Sequence, residues 1–233
     1  MPAPPRPRAV VFDLDGLLFN TEELYQEVGS ELLRRRGCEF GPELLHAIMG
    51  RPGRIALQMM IDYHELGDTV ETLAAESEQI FPAILDARLA LMPGAEALLA
   101  ALEHAQVPKA IGTSSGRRFV DRVLSRFDLA PRFRFILTSE DVIEGKPHPE
   151  IYRKAAARFG LPTSEVCVLE DSQNGCRAAV AAGAIAVAVP GDHSQNHHFD
   201  GAALIADTLA DRRIYELLGL QYSTPSQQGC VVE

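Results

Sequence analysis

The stretch Ala9-Val-Val-Phe-Asp13-Leu-Asp15-Gly-Leu-Leu-Phe-Asn20-Thr21 decides how this chain is read. Val10, Val11, Phe12 and Leu14 form a short apolar run, bounded by proline-rich sequence before it and Gly16 after it. That is the pattern of a strand buried on both faces of a parallel sheet. Two carboxylates interrupt its end, Asp13 and Asp15, and Gly16 lets the chain turn sharply beyond them. In an open α/β sheet, ligands bind outside the carboxyl ends of the strands, so both acids are expected within reach of a substrate. Buried carboxylates are costly unless a cation or proton compensates them. Magnesium suits that place, because it takes hard oxygen ligands, keeps waters in its shell and is commonly shared with substrate phosphate. An ordinary Asp-Gly turn has the same residues, so the pair alone leaves both readings open.

Outward from this strand, the pattern is helical at first. Asn20 is placed to cap a helix, with Glu23 completing a reciprocal cap, and Leu24, Val28, Leu32 and Leu33 recur at helical spacing until Gly37. Helical periodicity continues through Leu44 to Met49, Ile55 to Leu66 and Val70 to Leu85, with no strand-like run between. A strand followed by a block of helices predicts a helical subdomain inserted into an α/β core. After Leu91-Met-Pro-Gly94, helix and strand alternate, with strands expected at Lys109 to Gly112, Phe135 to Leu137, Val166 to Leu169 and Ile185 to Val189, and an edge strand at Leu204-Ile205. The expected organisation is a flexible tail over 1–8, a Rossmann-like parallel core from 9–19 and 90–220, a helical cap over 20–89 and a second tail over 221–233.

Composition narrows the class of partner. A net charge of −10 and a pI near 5.2 oppose encounter with nucleic acid or an anionic membrane. A phosphorylated small molecule is also an anion, so a site for one needs local positive charge from a metal, a lysine or helix N-termini. The four cysteines, Cys38, Cys167, Cys176 and Cys230, have neither disulfide-scaffold density nor zinc-site spacing, which fits a reducing cytoplasm. No run before Ala9 has the length of a signal peptide, and no later run approaches a membrane span. Cys230-Val-Val-Glu233 has the outline of a prenylation box, but Glu233 is a poor terminal residue for one and no basic run precedes it.

Polar chemistry recurs at the ends of the predicted strands. Thr113-Ser114-Ser115-Gly116 offers hydroxyls and backbone N–H groups at a helix start, suited to phosphate oxygens and equally to a helix cap. Lys146, between Gly145 and Pro147, is a candidate cation for the site or an ordinary solvated lysine. Glu170-Asp171-Ser172 places a second carboxylate pair against an apolar run. His193, His197 and His198 in GDHSQNHH read as a solvated loop, there being no carboxylate pattern beside them to set metal geometry. Arg51 and Arg54 stand in the cap loop, where they reach a substrate or simply face water.

Taken together, DLDGLLFNTE, GTSSG, EGKPHPEIY and VLEDSQNG resemble the four motifs of the haloacid dehalogenase-like hydrolase superfamily, over nearly the whole chain. The helical insertion is similar to that of the subgroup containing sugar-phosphate phosphatases and beta-phosphoglucomutase, and DGLL, ALMPGAE and TSSG look most like the pseudouridine 5'-phosphatase type. The resemblance implies a magnesium-dependent phosphatase of small phosphorylated metabolites, with Asp13 as nucleophile and Asp15 as acid and base. It implies that Asp13, the Asp15 carbonyl and Asp171 hold magnesium, with Glu170 as ligand or neighbour, and that Thr113, Ser114 and Lys146 hold the phosphoryl oxygens. Asn20 stands where many relatives have a third Asp, and Tyr25 where beta-phosphoglucomutases carry a histidine, which weakens a phosphomutase reading. That mutase, or a non-catalytic ligand-binding protein on the same fold, remains the alternative.

Overall fold

β1 (Ala9–Phe12) is buried along its whole length and pairs in parallel with β2 (Lys109–Gly112) on one side and β4 (Val166–Glu170) on the other. β3 (Ile136–Leu137), β5 (Ile185–Ala188) and β6 (Leu204–Ile205) complete a six-stranded parallel sheet in the order β3-β2-β1-β4-β5-β6. The protein is seen in a computed structural model that describes residues 6–48, 53–194 and 197–222. The tails beyond these limits and Arg51 lie outside the described residues; Arg8, expected in the N-terminal tail, is tied to Glu165 by a main-chain bond and its guanidinium, each 2.7 Å.

Alternation along β1 sorts its side chains onto two cores. Val10 and Phe12 pack with α5 (Ala95–His104), α6 (Arg117–Ser125) and α9 (Arg212–Leu218), through Leu98, Val123 and Ile214. Ala9 and Val11 pack on the opposite face against α7 (Glu150–Phe159) and α8 (Gln173–Ala182), where Ala155, Ala178 and Ala179 let the helices come close. This is the layered α/β architecture expected from the sequence, because a strand apolar on both faces needs a helix layer on each.

Between β1 and α5 runs a helical insert: α1 (Thr21–Arg34), α2 (Pro42–Ile48), α3 (Gly53–His64) and α4 (Val70–Arg88). It has small cores of its own, one around Leu33, Leu44, Ile48 and Met60 and another around Val28, Leu32 and Ile80. The two connections to the sheet run side by side. Met92 N–H donates to the Leu18 carbonyl at 2.9 Å, Asn20 N–H to Ala90 at 3.1 Å, and Phe19 bridges Leu91 in antiparallel fashion. The reciprocal cap expected at Asn20 does not form. Its Oδ1 accepts from Ala90 N–H at 2.8 Å and its Nδ2 donates to the Arg88 carbonyl at 3.2 Å, so the side chain clasps the returning connection, and toward the first turn of α1 it makes only a longer bond from Nδ2 to Glu23 Oε2 at 3.4 Å.

Gly94, which opens α5, has φ +87°, and a Cβ there would lie 2.3 Å from the Ala210 nitrogen; Gly37, after α1, has φ +71° with open space around it. Gly37→Ala is expected to cost about 1–2 kcal/mol, the conformational penalty alone. Gly94→Ala should cost a further ~1–3 kcal/mol for the collision. Urea unfolding of both variants checks this, and equal losses would mean that the backbone at Ala210 yields freely.

Candidate active site

Because Phe12 lies opposite Leu169 in the sheet, the residues that follow them leave β1 and β4 side by side. Asp13 N–H donates to the Leu169 carbonyl at 3.0 Å, and the carboxylates of Asp13, Glu170 and Asp171 converge there. Their ligand oxygens all lie within 4.8 Å of one another, and all three residues are buried. The sheet order reverses between these two strands, the place where open α/β sheets form their ligand crevice.

One ammonium serves the three acids. Lys146 Nζ contacts Asp13 Oδ1 and lies 2.6 Å from Glu170 Oε1, with the Tyr152 ring 5.2 Å beneath it. Burial lowers the proton affinity of Lys146, but the adjacent Asp13 and Glu170 carboxylates outweigh it and hold the amine well above the usual lysine range. Glu170 is fixed on every side: Tyr152 donates to Oε1 at 2.5 Å, Ser172 Oγ to Oε2 at 3.0 Å, and a Cβ on Gly175 would fall 1.8 Å from its carboxylate. Burial pushes the Asp13 carboxyl well above the usual range, Glu170 and Asp171 adding to the rise against the pull of Lys146. Asp171 is raised likewise, first by burial and then by Glu170 and Glu22. Three buried carboxylates facing one ammonium leave negative charge that a hard divalent cation would compensate, and the donor set, all oxygen, fits such an ion.

Asp15 lies beyond this cluster in a ring of hydroxyls. Ser115 Oγ donates to its Oδ2 at 2.6 Å, Thr113 Oγ1 to the same oxygen at 3.3 Å, and Thr21 Oγ1, at the start of α1, to Oδ1 at 2.9 Å. Burial raises the Asp15 carboxyl, and these three hydroxyls draw it back. Ser114 is exposed, whereas the Ser115 N–H donates to Thr113 Oγ1 at 3.0 Å, a local turn that brings its own hydroxyl back to Asp15.

The histidine loop differs from the solvated reading. His193 Nε2 lies 2.5 Å from Asp171 Oδ2, and its side chain is 10% exposed. The isolated string of histidines gave no sign of this, because Asp171 is distant in sequence and only the β5 crossover brings the loop to it. His197 Nδ1 accepts from Gln173 N–H at 3.3 Å, tying the loop to the start of α8. Of the cap residues, Arg54 pairs with Glu71, and Tyr25 stacks on Phe81 with ring centroids 4.8 Å apart. Sequence reasoning passed over Ser115, Tyr152, Gly175 and His193 as site residues. The first three lie inside the motif segments and were open to notice there.

Comparison with known proteins agrees with this geometry. The family model for haloacid dehalogenase-like hydrolases matches residues 10–189. The chain is 34% identical over 207 residues to a probable pseudouridine-5'-phosphatase of Drosophila melanogaster, covering 86% of this chain and 89% of that one. It is 32% identical to a phosphorylated carbohydrates phosphatase of Thermotoga maritima, covering 75% and 81%. Among solved structures, a HAD family hydrolase of Deinococcus radiodurans with bound phosphate and sodium superposes with a TM-score of 0.77 at 29% identity, over 94% of this chain and 99% of that one. No helix among the described residues is long and apolar enough to cross a membrane. With the six-stranded sheet, the helical insert and the acids at the ends of β1 and β4, the chain belongs to the haloacid dehalogenase-like hydrolase family, in its helical-cap branch, and is a phosphoric monoester hydrolase.

Proposed function

We propose that the chain is a magnesium-dependent phosphatase that hydrolyses a small sugar or nucleoside phosphate through an aspartyl-phosphate on Asp13. The observation that carries this reading is the charge imbalance at the strand ends, three buried carboxylates to one ammonium, with the hydroxyl-bonded Asp15 alongside. Asp13, Glu170, Asp171 and the Asp15 main-chain carbonyl would hold magnesium, which when bound offsets the repulsion between a carboxylate and a phosphate dianion. The substrate class is supported by the sugar- and nucleoside-phosphate names of the relatives.

In this mechanism an Asp13 oxygen attacks phosphorus and the bond from phosphorus to the ester oxygen breaks. Asp15 gives its proton to that departing oxygen. Water then attacks the phosphorus, Asp15 takes the proton back, and the bond to Asp13 breaks, releasing inorganic phosphate. The hydroxyls of Thr21, Thr113 and Ser115 aim Asp15 and set how firmly it keeps its proton. Lys146, Thr113 and Ser114 face the transferring group with positive charge and donors where negative charge spreads in the transition state. The helices over 20–89 act as a cap on the core of 9–19 and 90–220 and meet the leaving group, with Tyr25 as the cap side chain that reads it.

Asp13→Asn is expected to abolish turnover of p-nitrophenyl phosphate while the protein stays folded, and excess chelator should do the same to the unaltered enzyme. Full turnover in chelator would sink the metal reading. Lys146→Ala should lower kcat/KM for every phosphate ester alike, by about 10²–10³, since each presents the same group to the lysine. Tyr25→Ala should reorder the esters. Specificity constants for a panel of sugar and nucleoside phosphates check this, and the reverse pattern would refute the division of labour between core and cap.

A further inference from the structure

The imidazole of His193 occupies a seat built for it. Its ring lies between two glycines: a Cβ on Gly16 would fall 2.9 Å from its Cε1, and a Cβ on Gly191 would fall 2.9 Å from the same atom. The short turn Asp192–Ser194 that carries the ring is anchored by Ser194, fully buried, whose N–H and hydroxyl both donate to the Gly191 carbonyl, at 3.0 and 3.2 Å. From that seat Nε2 reaches Asp171 Oδ2 at 2.5 Å. A carboxylate that binds metal has no proton to give, so the nitrogen donates and the carboxylate accepts. On its other side the ring walls a cavity of about 270 Å³, whose lining includes Gly16, Glu22, Asp192 and His193 but none of Asp13, Glu170 and Asp171. The imidazole thus stands between that cleft and the acid cluster.

Glu170 is held by Lys146, Tyr152 and Ser172, and Asp13 by Lys146. Asp171 receives no side-chain bond from any of these; beside a bond from its own main-chain N–H, the side chain that meets its carboxylate among the described residues is that of His193. A ligand carboxylate left free to rotate binds metal more weakly, and hydrogen-bonded neighbours that fix such ligands typically matter by about 10–100-fold in affinity. We infer that His193 is a positioning residue for metal binding, its Nε2–H fixing one oxygen of Asp171 so that the other is presented to magnesium alongside Asp13 and Glu170. This rests on the proposed reading of those acids as magnesium ligands.

The test is calorimetric titration of Mg²⁺ into the full-length protein without substrate, for the unaltered chain, His193→Phe, His193→Gln and His197→Ala. His193→Phe keeps the ring's bulk and loses the donor, and should weaken Mg²⁺ binding by ~10-fold or more. At saturating Mg²⁺ its KM for p-nitrophenyl phosphate should stay within about twofold of the original, because the ring does not face the phosphoryl group. His193→Gln, which restores an N–H near the same place, should recover most of the affinity. His197→Ala loosens the loop's tie to α8 without touching Asp171, and should bind Mg²⁺ normally. Should His193→Phe fail to fold, as read by its melting temperature in chelator, His193→Asn takes its place, being polar but too short to reach Asp171. The inference is overturned if the donor-free variant binds Mg²⁺ as well as or better than the original, if Gln gives no rescue, or if His197→Ala loses as much. Absence of Mg²⁺ binding by the unaltered protein would instead overturn the metal reading on which the inference stands.

Discussion

The sheet ends in an electrostatic debt: Asp13, Glu170 and Asp171 are buried within a few ångströms of one another and share one ammonium, that of Lys146. Removing several carboxylates from water costs several kcal/mol per ion even after relaxation, on the order of the whole stability of a domain. Such an arrangement persists only where the surrounding fold is rigid enough to impose it and a ligand ion or substrate benefits from it. The details around it follow from that demand. Tyr152 and Ser172 donate to Glu170, Gly175 gives way to its carboxylate, and His193 Nε2 meets Asp171 Oδ2. The bonds from Tyr152 and Ser172 Oγ add to those from Lys146 and the Ser172 N–H in satisfying the buried oxygens of Glu170.

The rigidity comes from the topology. Parallel pairing of β1 with β4 sets Phe12 against Leu169, so that the next residues emerge at one level. The chain leaves β1 toward β2 and β3 on one side and returns through β4, β5 and β6 on the other, which opens the crevice above that pair. The apolar strands beneath are fully buried, and the close α7 and α8 packing through Ala155, Ala178 and Ala179 leaves no slack in the layer that carries Tyr152 and Gly175.

The sheet and the insert were legible in the chain because their signals are local. Apolar runs of four or five residues, glycine stops and helical spacing need no knowledge of distant partners, and β2 and β6 fall on their expected bounds. The acids and Lys146 were legible because they stand at strand ends, where position follows from topology. What was not legible depends on which way a loop side chain turns. Ser114 and Ser115 are indistinguishable in sequence, and a bond from the Ser115 N–H to Thr113 decides that Ser115 reaches Asp15. Asn20 has the right type and spacing for a helix cap, yet the neighbouring strand of the return connection offers it Ala90 N–H and the Arg88 carbonyl at good geometry. Reading His193 required knowing that the crossover after β5 passes over Asp171.

That clasp at Asn20 has a physical bearing on the chemistry. The two connections form a short antiparallel ladder through Leu18, Phe19, Asn20, Ala90, Leu91 and Met92, and such a ladder resists stretching while permitting twist. Thr21 follows it directly. Its hydroxyl both donates to Asp15 and accepts from the Gly16 N–H at 3.2 Å, while its backbone begins α1. Farther out, α4 and α6 are joined by Asp86 with Arg122 and Arg126, exposed ion pairs that salt weakens readily, and by Phe81 with Phe119, while Leu85 of α4 is buried in the same core cluster as Val120 and Val123 of α6. Thr21 therefore joins the start of the insert to the hydrogen bonds that aim Asp15. Thr21, which belongs to both, is thus one group through which the placement of the insert bears on the proton affinity of Asp15, alongside burial and the hydroxyls of Ser115 and Thr113.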